Sequence, residues 1–217
     1  VAVSAQSKDA LARVLPHMAE RTTLIENPVD VAGIRASATL PVTGVAFDRF
    51  TFCSVTRLTK GKALDVGLRA ARVLKDAGHS FQWLIIGEGA EERALRALSD
   101  KLGLRDTVRF LGARNPPHPY VARSDVFLHT SVSEGKSMAV GEAMILGKPI
   151  LVTRYPSVED QVQDGVTGVI APLEPAALAS GMESMIAKPA LRAAIGRNLS
   201  RLSFDSDTLG SVLRLVD

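Results

Sequence analysis

The sequence predicts an α/β fold, a Rossmann-like doubly wound parallel sheet of about six strands. Three observations carry that expectation. Short apolar runs at 50–55, 81–86, 107–110, 125–129, 149–152 and 168–171 alternate with longer segments of helical periodicity. The segment 62–77 places Leu64, Leu68, Ala71 and Leu74 on one stripe, as a helix covering a sheet requires. The stretch from Ser133 to Thr153 reads as loop, helix and strand, which puts its loop at the carboxyl edge of the sheet, where open α/β folds bind ligands.

Taken in order, Val1 to Ser4 reads as the end of a strand, and 7–19 as a helix with Leu11, Val14, Leu15 and Met18 on one face. Thr22 to Ile25 reads as a further short strand. Asn27-Pro28-Val29-Asp30 is turn chemistry, and 31–48 has too little pattern to be more than a connecting loop. Between the six strands, helices are expected at 62–77, 91–102, 117–123, 137–146 and 158–163, with closing helices at 175–187 and 189–201. This divides the chain into a leading segment 1–48, a ligand-binding domain 49–203 and a helical tail 204–217.

The chemistry gathers after the fourth strand. Gly135 lets backbone approach a ligand closely. Ser137 is placed to cap the helix that follows, and the free N–H groups and positive dipole end of such a helix suit a phosphate. Glu134 in the loop and Glu142 in the helix are poor phosphate ligands but good acceptors for sugar hydroxyls. A phosphate cradle flanked by hydroxyl acceptors fits a sugar nucleotide. After the first strand, Thr56-Arg57-Leu58-Thr59-Lys60-Gly61-Lys62 carries three cations. Gly87-Glu88-Gly89 is a tight turn. It lacks the third glycine of a dinucleotide fingerprint, which disfavours a nicotinamide-dependent dehydrogenase.

These residues resemble a known family. Glu134, Glu142 eight positions on, Ala143-Met144 and Gly147-Lys148-Pro149 are similar to the signature of retaining glycosyltransferases of the GT-B fold, family 4. The likeness runs from about Phe50 to Leu202. It implies the C-terminal, donor-binding half of a two-domain enzyme that moves a sugar from a nucleoside-diphosphate sugar to an acceptor. Arg57 and Lys62 match the arginine and lysine that neutralise the donor diphosphate in that family, and Lys60 is left to solvent. The resemblance further implies that Glu142 holds the ribose, that Glu134 holds the transferred sugar, and that Ser137 and Met138 offer N–H groups to the diphosphate. Ala113 and Arg114 would lie along the base, and Lys136 would add charge. The expected donor is a UDP-sugar rather than a GDP-sugar, with no cofactor or metal. The acceptor, a glycan or lipid-linked glycan of bacterial polysaccharide biosynthesis, would be held by a facing domain outside these residues, leaving this fragment alone inactive. The alternative is a non-catalytic nucleotide-sugar-binding module that acts only with a partner chain.

Several positions depart from the family pattern. Thr56 and Ala63 stand where glycine is usual, Gly141 where a bulky apolar residue is usual, Pro156-Ser157 for a glycine pair, and Asp160 for glutamate. Composition narrows the remaining classes. No apolar run reaches membrane-spanning length. Cys53 is the single cysteine, which removes an internal disulfide and points to a reducing cytoplasm. The net charge of +3 suits anionic substrates, with peripheral contact at an anionic inner-membrane surface as a further expectation. The cations are not interleaved with stacking aromatics, against a nucleic-acid partner. No Cys, His or Asp cluster has metal spacing, and His118 and His129 stand isolated in sequence, consistent with structural roles.

Overall fold

The computed structural model describes residues 5–18, 20–23 and 29–204. In chain order the elements are α1 (Ala5–Val14), a 3-10 turn (Pro16–Met18), α2 (Val31–Ala38), β1 (Phe50–Val55), a 3-10 turn (Lys60–Lys62), α3 (Leu64–Asp76), β2 (Phe81–Ile86), α4 (Glu92–Lys101) and β3 (Val108–Gly112). There follow α5 (His118–Arg123), β4 (Val126–His129), α6 (Met138–Ile145), β5 (Ile150–Thr153), a 3-10 turn (Val158–Asp160), β6 (Gly168–Ala171), α7 (Pro175–Ala187) and α8 (Pro189–Leu199).

The six strands form one sheet in the order β3-β2-β1-β4-β5-β6, and every pairing is parallel. β2 and β4 are buried along their whole length, as strands covered on both faces by helices must be. Their apolar runs therefore read as continuous rather than alternating. On α3 the expected stripe is buried, with Leu64, Leu68, Ala71 and Leu74 all at most 2% exposed. Trp83 on β2 is enclosed, and its indole N–H donates to Ser54 Oγ at 2.8 Å, so a large apolar ring is buried without an orphaned donor. Cys53 on β1 is fully buried, and burial pushes its thiol up to about 12, against a smaller opposing effect of Lys148; it is packing, not a nucleophile.

Some expected elements differ. The first helix stops at Val14, and Pro16 opens a separate 3-10 turn, because a proline cannot continue the α-helical hydrogen bonding. At this break Val14 and Leu15 are exposed, at 76% and 41%. The segment taken for a loop contains α2, whose start is fixed by Asp30: its carboxylate accepts from the Gly33 N–H at 2.8 Å. Ile34 is the single buried residue of that helix, so it leaves no periodic signature. The helix expected at 158–163 is only the 3-10 turn Val158–Asp160. Thr22 and Thr23 lie in no strand. The remaining expectations for 1–4, 24–28 and 205–217 fall outside the described residues.

Candidate functional site

β1 and β4 lie side by side at the centre of the sheet, and the strand order runs outward from them in opposite directions. Between their carboxyl ends opens the crevice of a doubly wound fold. Two loops wall it, 56–63 after β1 and 130–137 after β4. They are stitched together: Thr130 Oγ1 donates to the Lys62 carbonyl at 2.7 Å, while the Val132 N–H and Ser131 Oγ both donate to the Gly61 carbonyl, at 2.9 and 3.1 Å.

The Gly87-Glu88-Gly89 turn braces the first loop from behind. Leu58 N–H donates to the Glu88 carbonyl and Glu91 N–H to the Leu58 carbonyl, both at 2.9 Å. A methyl group at Gly87 would sit 1.9 Å from the Thr56 carbonyl oxygen, and one at Gly89 2.3 Å from that of Leu58. These glycines serve the close approach of two backbones. Ala63, at the end of the 3-10 turn, has φ 46° and ψ 36°, a left-handed conformation that costs an L-residue about 1–2 kcal/mol. That is the physical reason a glycine suits this position.

At the centre of the crevice Glu134 is 13% exposed and forms an ion pair with Lys62. His129, at the carboxyl end of β4 and 3% exposed, places Nε2 3.0 Å from the same oxygen, Oε1. Burial alone would raise the Glu134 carboxyl. The hydrogen bonds and charges of His129 and Lys62 outweigh it and pull the group down to about 2. His129 also packs edge-on to the Tyr155 ring, at 6.1 Å between centroids. The Tyr155 hydroxyl is buried without a hydrogen-bond partner among the described residues, and burial together with the Glu134 charge keeps it un-ionised. His129 is thus not isolated, as its sequence neighbourhood suggested.

Because the folded carboxyl of Glu134 titrates below its unfolded value of 4.5, its pairing stabilises the fold above about pH 4.5 and is lost as the pH falls toward about 2. Discounted for partial exposure, the contribution is roughly 2–3 kcal/mol. Urea denaturation of wild type and Glu134→Gln should give a stability difference that shrinks steadily on acidification below about pH 5. A difference that is constant across this window would contradict the pairing.

Ser137 caps α6 as expected, its side chain accepting from the Val140 N–H. Its own backbone is occupied, however. Gln161 Oε1 accepts the Ser137 N–H at 3.1 Å, and Gln161 Nε2 donates to the Ser137 carbonyl at 2.8 Å. The expected Ser137 N–H donor for an anion is therefore already used. The first-turn positions of α6 itself, Met138 and Ala139, are the ones whose N–H groups have no intrahelical acceptor. Gly141 lies beside this clamp, and a methyl there would only just touch Gln161 Nε2, at 3.4 Å. Ser157 Oγ, in place of one of the family's glycines, donates to the Glu134 carbonyl at 2.6 Å. Gly135 and Lys136 lie half-buried in the loop between these anchors.

Glu142, one turn into α6, is 27% exposed and meets His118 Nε2 through Oε2 at 3.4 Å. Arg57 is exposed and has no ion-pair partner among the described residues; Lys60 is also exposed. Ala113 and Arg114 lie at the adjacent edge, with the Ala113 N–H donating to Glu88 Oε1 at 3.2 Å and Arg114 Nη1 to the Ala113 carbonyl at 3.1 Å. Both backbone groups of Ala113 are thus already engaged. Sequence reasoning gave His118 and His129 structural roles, noted Ser157 only as a departure from the family, and passed over Gln161. Of these only His129, at a strand end five residues before the loop glutamate, carried a usable signal. Among the described residues no group of three or more His, Cys, Asp or Glu side chains could hold a metal ion, and no helix is long and apolar enough to cross a membrane.

Fold and crevice together define a Rossmann-like domain with a carboxylate-and-lysine site at its topological switch point. The chain belongs to the family described as glycosyl transferases group 1, whose profile matches residues 41–201. It is 32% identical over 127 residues to the amylovoran biosynthesis glycosyltransferase AmsK of Erwinia amylovora, a match that covers 55% of this chain and 31% of that protein. The chain thus spans about a third of the length of the curated relative it matches. Among solved structures it superposes on HepE of Anabaena in complex with UDP with a TM-score of 0.81 at 22% identity, covering 99% of this chain and 61% of that one. WaaG, a glycosyltransferase involved in lipopolysaccharide biosynthesis, gives a TM-score of 0.79 at 19% identity, with 100% and 61% covered.

Proposed function

We propose that this chain is the donor-binding domain of a retaining, family 4 glycosyltransferase that takes its sugar from a nucleoside-diphosphate donor. The observation that carries the reading is the Lys62–Glu134–His129 cluster set beside the start of α6 at the switch point. In this reading Glu134, kept ionised by its two partners, accepts hydroxyls of the transferred sugar, and Glu142 accepts those of the ribose. The Met138 and Ala139 N–H groups, with the helix dipole behind them, face the diphosphate. Lys62 has further N–H donors beyond the one given to Glu134, and with Arg57 it stabilises the negative charge that grows on the departing diphosphate. No metal takes part in this scheme. Uridine is favoured as the base because HepE, of the same fold, has been solved with UDP, with UDP and glucose, and with UDP-glucose. The acceptor is a bacterial glycan or lipid-linked glycan held by residues outside this chain, as the relatives' greater length and biosynthetic roles suggest. A cytoplasmic site of action, peripheral at the inner membrane, suits such an acceptor.

Calorimetric titration with UDP, GDP, UDP-glucose, GDP-mannose and NAD tests the reading. UDP and UDP-glucose are expected to bind, and NAD is not. Glu142→Ala should weaken UDP and UDP-glucose alike, whereas Glu134→Gln should weaken the sugar nucleotide and largely spare UDP. A chelator should change neither affinity. A strict magnesium or manganese requirement, or NAD binding in preference to nucleoside diphosphates, would overturn the proposal.

A further inference from the structure

His118 bridges two elements that no sequence pattern connects. Its Nε2 lies 3.4 Å from Glu142 Oε2, and its Nδ1 lies 2.6 Å from Ser37 Oγ on α2. Ser37 Oγ in turn lies 3.0 Å from the Ile34 carbonyl. A bare Nε2 would turn its lone pair on a carboxylate, so the pair is favourable only when Nε2 carries a proton. Ser37 makes that possible in either charge state of the ring. In neutral imidazole its hydroxyl donates to Nδ1, which fixes the proton on Nε2. In imidazolium the hydroxyl turns to the Ile34 carbonyl and accepts from Nδ1–H. In both cases Nε2–H donates to Glu142.

The mount for this ring is rigid. His118 follows Pro116 and Pro117 and precedes Pro119, which restricts backbone rotation on both sides. The ring is 14% exposed, held between α2 and α6. α2 is fixed at its start by the Asp30 cap and packs against both α5 and α6. With Oε2 held by His118, Oε1 of Glu142 has no hydrogen-bond partner among the described residues.

We propose that His118 is a positioning residue for Glu142, and that Ser37–His118–Glu142 is a relay through which the seating of α2 sets the affinity for the nucleoside part of the donor. The proposal rests on the reading that Glu142 receives the ribose hydroxyls. Anchored by one oxygen, the carboxylate presents the other in a fixed direction, so the hydroxyls meet an acceptor that does not have to be ordered on binding. A movement of α2 that withdraws Ser37 would release the tautomer and leave Glu142 loose. The strength of nucleoside binding is in this way tied to the helix through which the chain enters the domain.

The test compares UDP, UDP lacking both ribose hydroxyls, and inorganic pyrophosphate on the full chain by calorimetry. His118→Phe, which keeps the ring and removes both nitrogens, should weaken UDP about three- to tenfold, the worth of a hydrogen bond. Pyrophosphate and the hydroxyl-free nucleotide should bind His118→Phe as they bind wild type. Ser37→Ala should produce a smaller loss for UDP that disappears in the His118→Phe background. Equal loss of UDP and pyrophosphate would mean a merely structural histidine, and an unchanged UDP affinity would mean no positioning; either overturns the proposal. Wild type that fails to bind UDP would instead sink the donor-binding reading on which this rests. A ring-nitrogen NMR spectrum of ligand-free protein gives a readout independent of the donor. It should report a protonated Nε2 on His118, and a bare Nε2 in wild type would overturn the relay.

Discussion

Lys62→Ala is expected to weaken nucleoside diphosphate binding by roughly ten- to hundredfold, the cost of one charged hydrogen bond of about 1.5–3 kcal/mol. The same change leaves Glu134 half-buried with only His129 to hold it, so stability should fall as well, by about 1–3 kcal/mol. Lys60→Ala removes the same charge two residues away from an exposed side chain and should alter neither quantity appreciably. Calorimetry and urea denaturation of the two variants, side by side, separate a specific role from loop charge. Equal effects on affinity would remove Lys62 from the site.

Gly87→Ala should be the most damaging single substitution considered. The residue has φ +136°, and the added carbon would meet the Thr56 carbonyl at 1.9 Å, so backbone rather than a flexible side chain must yield. A cost of about 3–5 kcal/mol is expected, a large part of the stability of an ordinary domain. Gly44→Ala is the control: it has φ +74° with no atom within 4 Å of the added carbon, so only the conformational penalty of about 1 kcal/mol applies. Thermal or urea unfolding of both proteins checks the difference. Similar costs would show that the two loops do not approach as closely as described.

Strand positions were legible because continuous apolar runs bounded by turn residues have few other interpretations. The runs at 50–55, 81–86 and 168–171 coincide with β1, β2 and β6 residue for residue. α2 was not legible, because its start depends on one carboxylate cap and it buries a single side chain. In the site, Glu134 and Glu142 stood out by charge and position, and Lys62 through the family resemblance. Their partners were hidden for a topological reason. Parallel connection brings together residues far apart in sequence, such as Gln161 with Ser137, 24 positions away, and His118 with Ser37, 81 positions away. No local pattern encodes such a meeting. Ser137 shows the converse: its N–H sits at a helix start yet is taken by Gln161 Oε1.

The stitching of the two crevice loops has a consequence for how this wall can change. Thr130, Ser131 and Val132 all grip backbone carbonyls, those of Gly61 and Lys62, and not the side chains of the facing loop. Side chains at 57, 59 and 60 can therefore be exchanged without disturbing the seam, since their backbone geometry is secured from across the cleft. The seam acts as a fixed frame around replaceable contacts. A designer seeking new donor preference should accordingly vary Arg57 and leave Thr130 and Ser131 untouched.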